Sequence, residues 1–484
     1  MPIRKLVCHP LTFLLILCLG IGIYKIAVLA CVSNDSVTFM EFARFLKLCP
    51  DSIIKSSDQH PGYPAIICAS EWILGKLGCD PALEHRIIAA QSATLICRTI
   101  AICFLYSVFR FFGNKKYALV SAILVLLIPV YANNGSEVLS DWPNLMLMAI
   151  ALYLCLRGLR NTSRLCFFAA GFSSGLAYWV RPEGAVFVVV FGIYTLLQTF
   201  TRTDKSRLWV HFGIMVIAAG LITAPYMFYK GALFPKKKIG YSSVSSESHN
   251  TTVSTPRCRP FQTDIAAGTL PLKPAKAMGH FVEKLFNTVF LLSVPLLGVF
   301  LYRMKGFKRL APRDQFLMLF IALWMGLMIW LHCRHGYMSY RHIMPLVVFG
   351  FAWILKGLHG VVLMFGSSRQ KLNRNTAAVI GICIALFVPK LIRPAHADKA
   401  VYKQAGLWLR DNTPAEVTLA VFDNRIGFYA ERLYSLSNIQ TSLREDYLII
   451  KADEEFDRLP KTALPVTTGQ DELDKFIRIY QIVP

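Results

Sequence analysis

Long apolar runs separated by short polar or basic stretches dominate this chain. The runs cover about 11–32, 83–112, 117–131, 142–158, 165–180, 184–200, 208–229, 281–302, 314–332, 343–364 and 376–392. Each is long enough, or nearly so, to cross a bilayer as a helix, which predicts about eleven transmembrane helices. The first run follows Met1-Pro-Ile-Arg-Lys5, is longer than a signal-peptide core and carries no small-residue cleavage site, so it reads as a retained anchor. Basic clusters at Lys115 and Lys116, Arg157 to Arg164, Arg202 to Arg207, Arg303 to Arg313 and Arg369 to Arg374 share one side if the N-terminus is cytoplasmic. Positive loops stay inside, so the predicted orientation is N-in and C-out.

Two outer loops, about 33–82 and 230–280, are long enough to build a site on the scaffold. In the first, Val37–Leu48 sets Phe39, Phe42, Phe45 and Leu46 on one side and Glu41, Arg44 and Lys47 on others. Tyr63–Leu77 is apolar but broken by Glu71 and Lys76. Both predict helices lying at the interface rather than spanning. Gly171-Phe-Ser-Ser-Gly175 has the small-xxx-small spacing that lets two helices approach closely.

From Lys399 the pattern becomes that of a small soluble domain. A helix over Val401–Arg410, a strand over Val417–Phe422, a short helix ending near Glu431 and a strand over Tyr447–Lys451 are predicted. The chain therefore divides into a transmembrane part, 1–394, and a C-terminal extracytoplasmic α/β domain, 395–484. The fold class is an all-α polytopic membrane protein with that small domain appended.

Composition agrees with the pattern: of 484 residues 55% are hydrophobic and 17% charged, too apolar for a soluble chain of this length. The net charge of +23 is unevenly placed. Residues 395–484 hold 11 of the 52 Lys and Arg and 14 of the 29 Asp and Glu, so the tail is −3 and the membrane part +26. Basic loops beside anionic lipid account for that excess, and nucleic acid is not expected as a partner. The 13 cysteines are scattered with no CxxC, which fits small core residues. Cys49 and Cys79 share the first outer loop, where a disulfide between them is one option.

Polar residues that could carry chemistry cluster on the outer side. Asp35, in Ser33-Asn-Asp-Ser36, stands where a carboxylate is half buried yet reachable from water, as a general base needs; a helix cap explains it equally simply. His60-Pro-Gly-Tyr63-Pro64 reads as a turn holding polar groups, and Ser136 to Pro143 places Glu137 and Asp141 above a span. Arg181-Pro-Glu183-Gly184 forms a tight outer hairpin that needs Pro and Gly but not its charge pair. Arg334 to His342 packs two Arg, two His (His335 and His342) and two Tyr (Tyr337 and Tyr340) into nine residues, a density suited to an anionic head group. Lys236-Lys-Lys238 adds cations on that side, or is a solvated charge run. Arg86 opens the second span and Arg98 lies well inside it, lining either the interior or a substrate path. Neither HExxH nor a thiolate cluster is present, so a metal site is not expected.

Taken in order, Asp35, His60-Pro-Gly-Tyr-Pro64, Arg86, Ser140-Asp-Trp-Pro143, Gly175 to Gly184 and Tyr340-Arg-His-Ile-Met-Pro345 resemble the GT-C glycosyltransferase superfamily. The nearest branch looks like the aminoarabinose, protein O-mannosyl and lipopolysaccharide-core galacturonosyl transferases, over residues 10 to 392. The resemblance implies a polyprenyl-phosphate sugar donor, a lipid, glycan or protein acceptor, and inverting transfer on the outer face of the cytoplasmic membrane. Asp35 matches the family's catalytic acid residue and Arg341 a donor-phosphate contact, supported by Arg181 or the Lys236 cluster. His60, Tyr63, Arg86, Asp141, Glu183, His335 and Tyr340 join them as candidate substrate contacts. The family's acidic pair at the first site is absent, since Asp35 is flanked by Asn34 and Ser36, so a metal-independent reaction without cofactor is expected. A lipid or polysaccharide transporter of the cell envelope is the alternative; against it, the charged clusters sit at one face rather than the midplane.

Overall fold

The computed structural model describes residues 9–231 and 274–482, apart from breaks at 58, 81, 201–204, 336–337, 365–370, 437–445, 452–462, 467 and 469. Each of the eleven predicted apolar runs contains helix, although residues 28–32 of the first run lie beyond its helix and Ile128 breaks the third. Eight helical stretches are long and apolar enough to cross a membrane among the described residues, making this a polytopic membrane protein. Two runs are broken by a 3-10 turn, at Phe290–Leu292 and at Phe351–Trp353. Ile16, Ile23, Ile217 and Leu221 point outward from the bundle, an apolar exterior that lipid tails can cover.

Close packing is set by small residues. A Cβ on Gly171 would lie 2.2 Å from the carbonyl oxygen of Met215, and one on Gly175 3.0 Å from that of Ala219. The helices Arg164–Val180 and Lys205–Lys230 therefore touch backbone to backbone, and the Gly171/Gly175 spacing is a packing device as its sequence suggested.

Arg98 is fully buried and is answered by backbone. Pro129 interrupts the run after the helix Lys115–Leu127, leaving its last carbonyls without a following turn. Arg98 donates to the carbonyls of Leu126 (3.3 Å) and Ala132 (3.4 Å), and its guanidinium sits 5.4 Å from the ring of Trp142. Trp142 Nε1 in turn donates to the carbonyl of Tyr131 (2.9 Å). The intramembrane cation thus staples a broken helix and supports the first turn of Asp141–Asn161.

On one side of the bundle the helices Asn34–Leu48 and Gly62–Lys76 pack together, burying Val37, Phe39, Met40, Ala43, Tyr63 and Ile67. Both interfacial segments of the first loop are thus helices. The C-terminal residues form a five-stranded sheet of β1 (Thr418–Val421), β2 (Leu433–Leu436), β3 (Tyr447–Lys451), β4 (Ala463–Val466) and β5 (Ile477–Ile482), in the order β2-β1-β3-β5-β4. β1 pairs parallel with β2 and β3, while β5 pairs antiparallel with β3 and β4. Helices Ala400–Asn412 and Asn424–Ala430 cover it. The second docks Phe428 and Tyr429 against Val32 and Val37, and the Val32 amide donates to the Tyr429 hydroxyl (3.1 Å). Cys79 is a free, exposed thiol, whereas Cys49 is disulfide-bonded, so these two do not pair.

Candidate active site

Five charged side chains form a chain of alternating sign that runs from the interior to the surface. Glu183 Oε1 faces Arg181 Nη2 at 3.5 Å, and Arg181 Nη1 donates to Asp141 Oδ1 at 2.6 Å. Arg341 Nε donates to the other oxygen, Asp141 Oδ2, at 2.6 Å, and Arg341 Nη1 pairs with Asp35. The Asp141 carboxylate is only 2% exposed, while that of Asp35 is 58% exposed. An isolated charge at Asp141 would be prohibitively costly, and two guanidiniums with direct hydrogen bonds offset its desolvation.

Local structure explains each position. Ser33 is the N-cap of Asn34–Leu48 and its hydroxyl accepts the Ser36 amide (3.2 Å), so Asp35 is not the cap and its carboxylate is left for Arg341. Asp141 opens its helix after the short helix Pro129–Asn134 and a turn over 135–140. Arg181 closes Arg164–Val180, and the 3-10 turn Pro182–Ala185 folds Glu183 back beside it. That turn requires Gly184, because a Cβ there would lie 2.3 Å from the Ala177 carbonyl carbon. Arg341 follows the helix Pro312–His335, in the short turn before Met344–Gly350.

Asp141, Arg181, Glu183 and Arg341 line a narrow cleft, and Asp35, paired with Arg341, is not part of its wall. Asn144, Trp324, His342, Met344 and Pro345 complete the wall. Glu183 Oε2 and Asn144 Oδ1 are buried there without a hydrogen-bond partner, unspent acceptors facing a concave site. Burial and the charge of Arg181 hold the His342 imidazole down at about 4, so it is neutral at neutral pH. Trp324 Nε1 donates to the His342 carbonyl (2.9 Å), which fixes that turn against the long helix.

The structure brings Asp35, Asp141, Arg181, Glu183 and Arg341 together. His60 is close by: it is buried against Tyr178 and Tyr226, burial followed by the charge of Lys230 lowers it to about 4, and Glu183 and Arg181 also act on it. Its turn reaches the site because Gly62 presses on the helix end, where a Cβ would lie 2.6 Å from the Trp179 carbonyl oxygen. The other described candidates are engaged by partners outside the charge chain. Tyr63 is wholly buried and bonded to the Thr94 hydroxyl at 2.6 Å. Arg86 faces Glu71 at 3.8 Å, and Tyr340 carries Lys284 over its ring at 4.4 Å. Lys236 and the side chain of His335 lie outside the described residues.

Asn144 and Trp324 escaped the sequence reading. Asn144 is one helical turn from Asp141, a spacing that marks it once Asp141 is suspected. Trp324 lies inside an apolar run and carries no sequence signal. No group of three or more His, Cys, Asp or Glu that would hold a metal ion is present among the described residues.

The fold has counterparts among solved structures. ArnT from Cupriavidus metallidurans bound to undecaprenyl phosphate superposes with a TM-score of 0.62 at 11% identity, covering 98% of each chain. The same protein in the apo state gives 0.64 at 11% identity, over 98% of this chain and 97% of that one. The fold is that of the GT-C glycosyltransferases. An archaeal GT-C member, the oligosaccharyltransferase of Archaeoglobus fulgidus, matches at 0.61 and 12% identity over 93% of this chain and 70% of that one. Residues 83–228 also match the model of the dolichyl-phosphate-mannose-protein mannosyltransferase family. No curated protein matches the chain by sequence.

Proposed function

We propose that this protein is an integral-membrane glycosyltransferase that moves a sugar from a polyprenyl-phosphate donor to a hydroxyl of a lipid, glycan or protein acceptor. The observation that carries the reading is the charge chain ending in an exposed carboxylate, set in a GT-C fold beside a cleft with unspent acceptors. The bound undecaprenyl phosphate of ArnT supports the class of donor. Asp35 takes the proton of the acceptor hydroxyl, whose oxygen attacks the anomeric carbon from the face opposite the phosphate. The bond from that carbon to the phosphate oxygen breaks, its electron pair leaves with polyprenyl phosphate, and the configuration inverts. Arg341 stabilises the charge gathering on the leaving phosphate. Glu183 and Asn144 accept hydrogen bonds from the sugar hydroxyls.

The reading extends to a metal-independent reaction on the extracytoplasmic face of the cytoplasmic membrane. A phosphate ester is already a competent leaving group, so a cation at the phosphate is the assistance the step asks for. The test is to supply purified wild-type protein and Asp35→Asn with a panel of polyprenyl-phosphate sugars together with a membrane extract of lipids, glycans and proteins as acceptors, and to follow released polyprenyl phosphate by mass spectrometry. Release by the wild type and a loss of at least about 10²-fold in the variant are expected. Equal release by both would remove Asp35 from the mechanism. No release from any donor by folded protein would point to transport instead.

A further inference from the structure

In this site the base and the phosphate-binding arginine are bonded to each other. Resting on the function proposed above, we infer that the donor phosphate and Asp35 exchange places on Arg341, so that donor binding is what frees the base. The argument is one of donor edges. A guanidinium grips a phosphate with two nitrogens at once, through either its Nη1/Nη2 end or the side that includes Nε. Arg341 Nε is held by Asp141, and Nη1 by Asp35. Arg181 offers no better grip, since Nη1 and Nη2 are spent on Asp141 and Glu183.

The two carboxylates on Arg341 are unequal. Asp141 is buried and shared with Arg181, so removing it would leave two guanidiniums unbalanced. Asp35 is more than half exposed and water can take over its hydration as it departs. The exchangeable partner is Asp35. A phosphate arriving at the Nη1/Nη2 end replaces one anion by another, keeping the chain of alternating charge intact. Asp35 is then released at the mouth of the cleft, on the first turn of Asn34–Leu48, with its oxygens available to an acceptor hydroxyl. Donor therefore precedes acceptor. After transfer Asp35 carries the acceptor's proton and loses it to water, polyprenyl phosphate departs, and the carboxylate returns to Arg341. Without donor the base stays masked on Arg341.

The test is the affinity for polyprenyl phosphate itself, in lipid nanodiscs, with the corresponding polyprenol as control for tail binding. Removing the competing anion in Asp35→Asn, and in Asp35→Ser as a second variant, should tighten binding about two- to fivefold, the scale of an exposed ion pair. Arg341→Gln should weaken it, and in that background Asp35→Asn should change nothing. Unchanged or weaker binding in both Asp35 variants overturns the exchange. Tightening that persists without Arg341 overturns it too, since it would reflect only the lost negative field. If folded wild type does not distinguish polyprenyl phosphate from polyprenol, the donor class falls and the exchange with it. Unchanged affinity with turnover intact removes the exchange alone.

Discussion

A buried aspartate held by arginine occurs twice beside the long helix Pro312–His335, and the two clusters differ in what they leave over. Asp314, on its first turn, pairs with Arg303, lies 3.8 Å from Arg313 and accepts the indole N–H of Trp353 at 2.9 Å. Arg303 also rests 4.7 Å from the ring of that tryptophan. The neighbouring Gln315 donates to the Phe307 carbonyl (3.1 Å) and accepts from Gln198 (3.0 Å). About 15 Å further along the helix, beside Trp324, the Asp141 cluster borders a cleft and leaves Glu183 Oε2 and Asn144 Oδ1 without partners among the described residues. Buried charge is common to both. Unspent hydrogen-bonding capacity beside a concavity belongs to the Asp141 cluster, and that distinguishes a site from a staple.

The comparison can be broken by exchanging charge for amide at each end. Asp141→Asn is expected to lower turnover by about 10²-fold or more, because both arginines lose the anchor that aims them. Asp314→Asn is expected to cost about 3–5 kcal/mol of stability while the folded fraction keeps its turnover. Thermal unfolding combined with polyprenyl-phosphate release per folded molecule separates the two. Loss of turnover in folded Asp314→Asn would erase the distinction.

A smaller effect sharpens the Asp314 half of the comparison. Trp353→Phe keeps a ring under Arg303 but removes an N–H bonded to a carboxylate, so unfolding should become easier by about 1.5–3 kcal/mol, with donor release unaltered.

The smallest effect concerns protons. Because the folded protein holds His342 at about 4 against an ordinary 6.5, the unfolded chain binds more protons between those values. Its contribution to stability is therefore complete above pH 6.5 and is lost as pH falls towards 4. A ring held at about 4 is neutral above about pH 5.5. His342→Gln should leave the shape of the pH–rate profile between about 5.5 and 7.5 unchanged, and a break near 6.5 that vanishes in this variant would show that the histidine titrates in catalysis.

Much of this could be read from the chain because each signal was local. Apolar runs and basic loops gave the helices, and the return of ordinary amphipathic periodicity gave the elements after Lys399. The candidate site was legible in part. Arg181 and Glu183 stood out because a tight hairpin does not need charge, and Asp35 and Arg341 through the order of the outer motifs. That they form one chain with Asp141 was not legible, since Asp35 and Arg341 are 306 positions apart and pairing is decided by helix packing. Tyr63 shows the converse. It lies in the right turn, but only packing reveals that its hydroxyl is spent on Thr94. Cys49 and Cys79 were neighbours in one loop, and proximity along the chain did not translate into a bond.

The staple built by Arg98 carries a genetic consequence. Gly135 lies against it, and a Cβ there would come within 2.3 Å of Arg98 Cδ and 2.9 Å of Trp142 Nε1. Arg98 is sealed on all sides and has nowhere to retreat. An alanine at Gly135 must therefore shift Trp142 and with it the first turn bearing Asp141. Screens for inactive alleles would recover Gly135 and Arg98 alongside the cleft, although neither borders it, and suppressors should arise in the residues that frame Trp142.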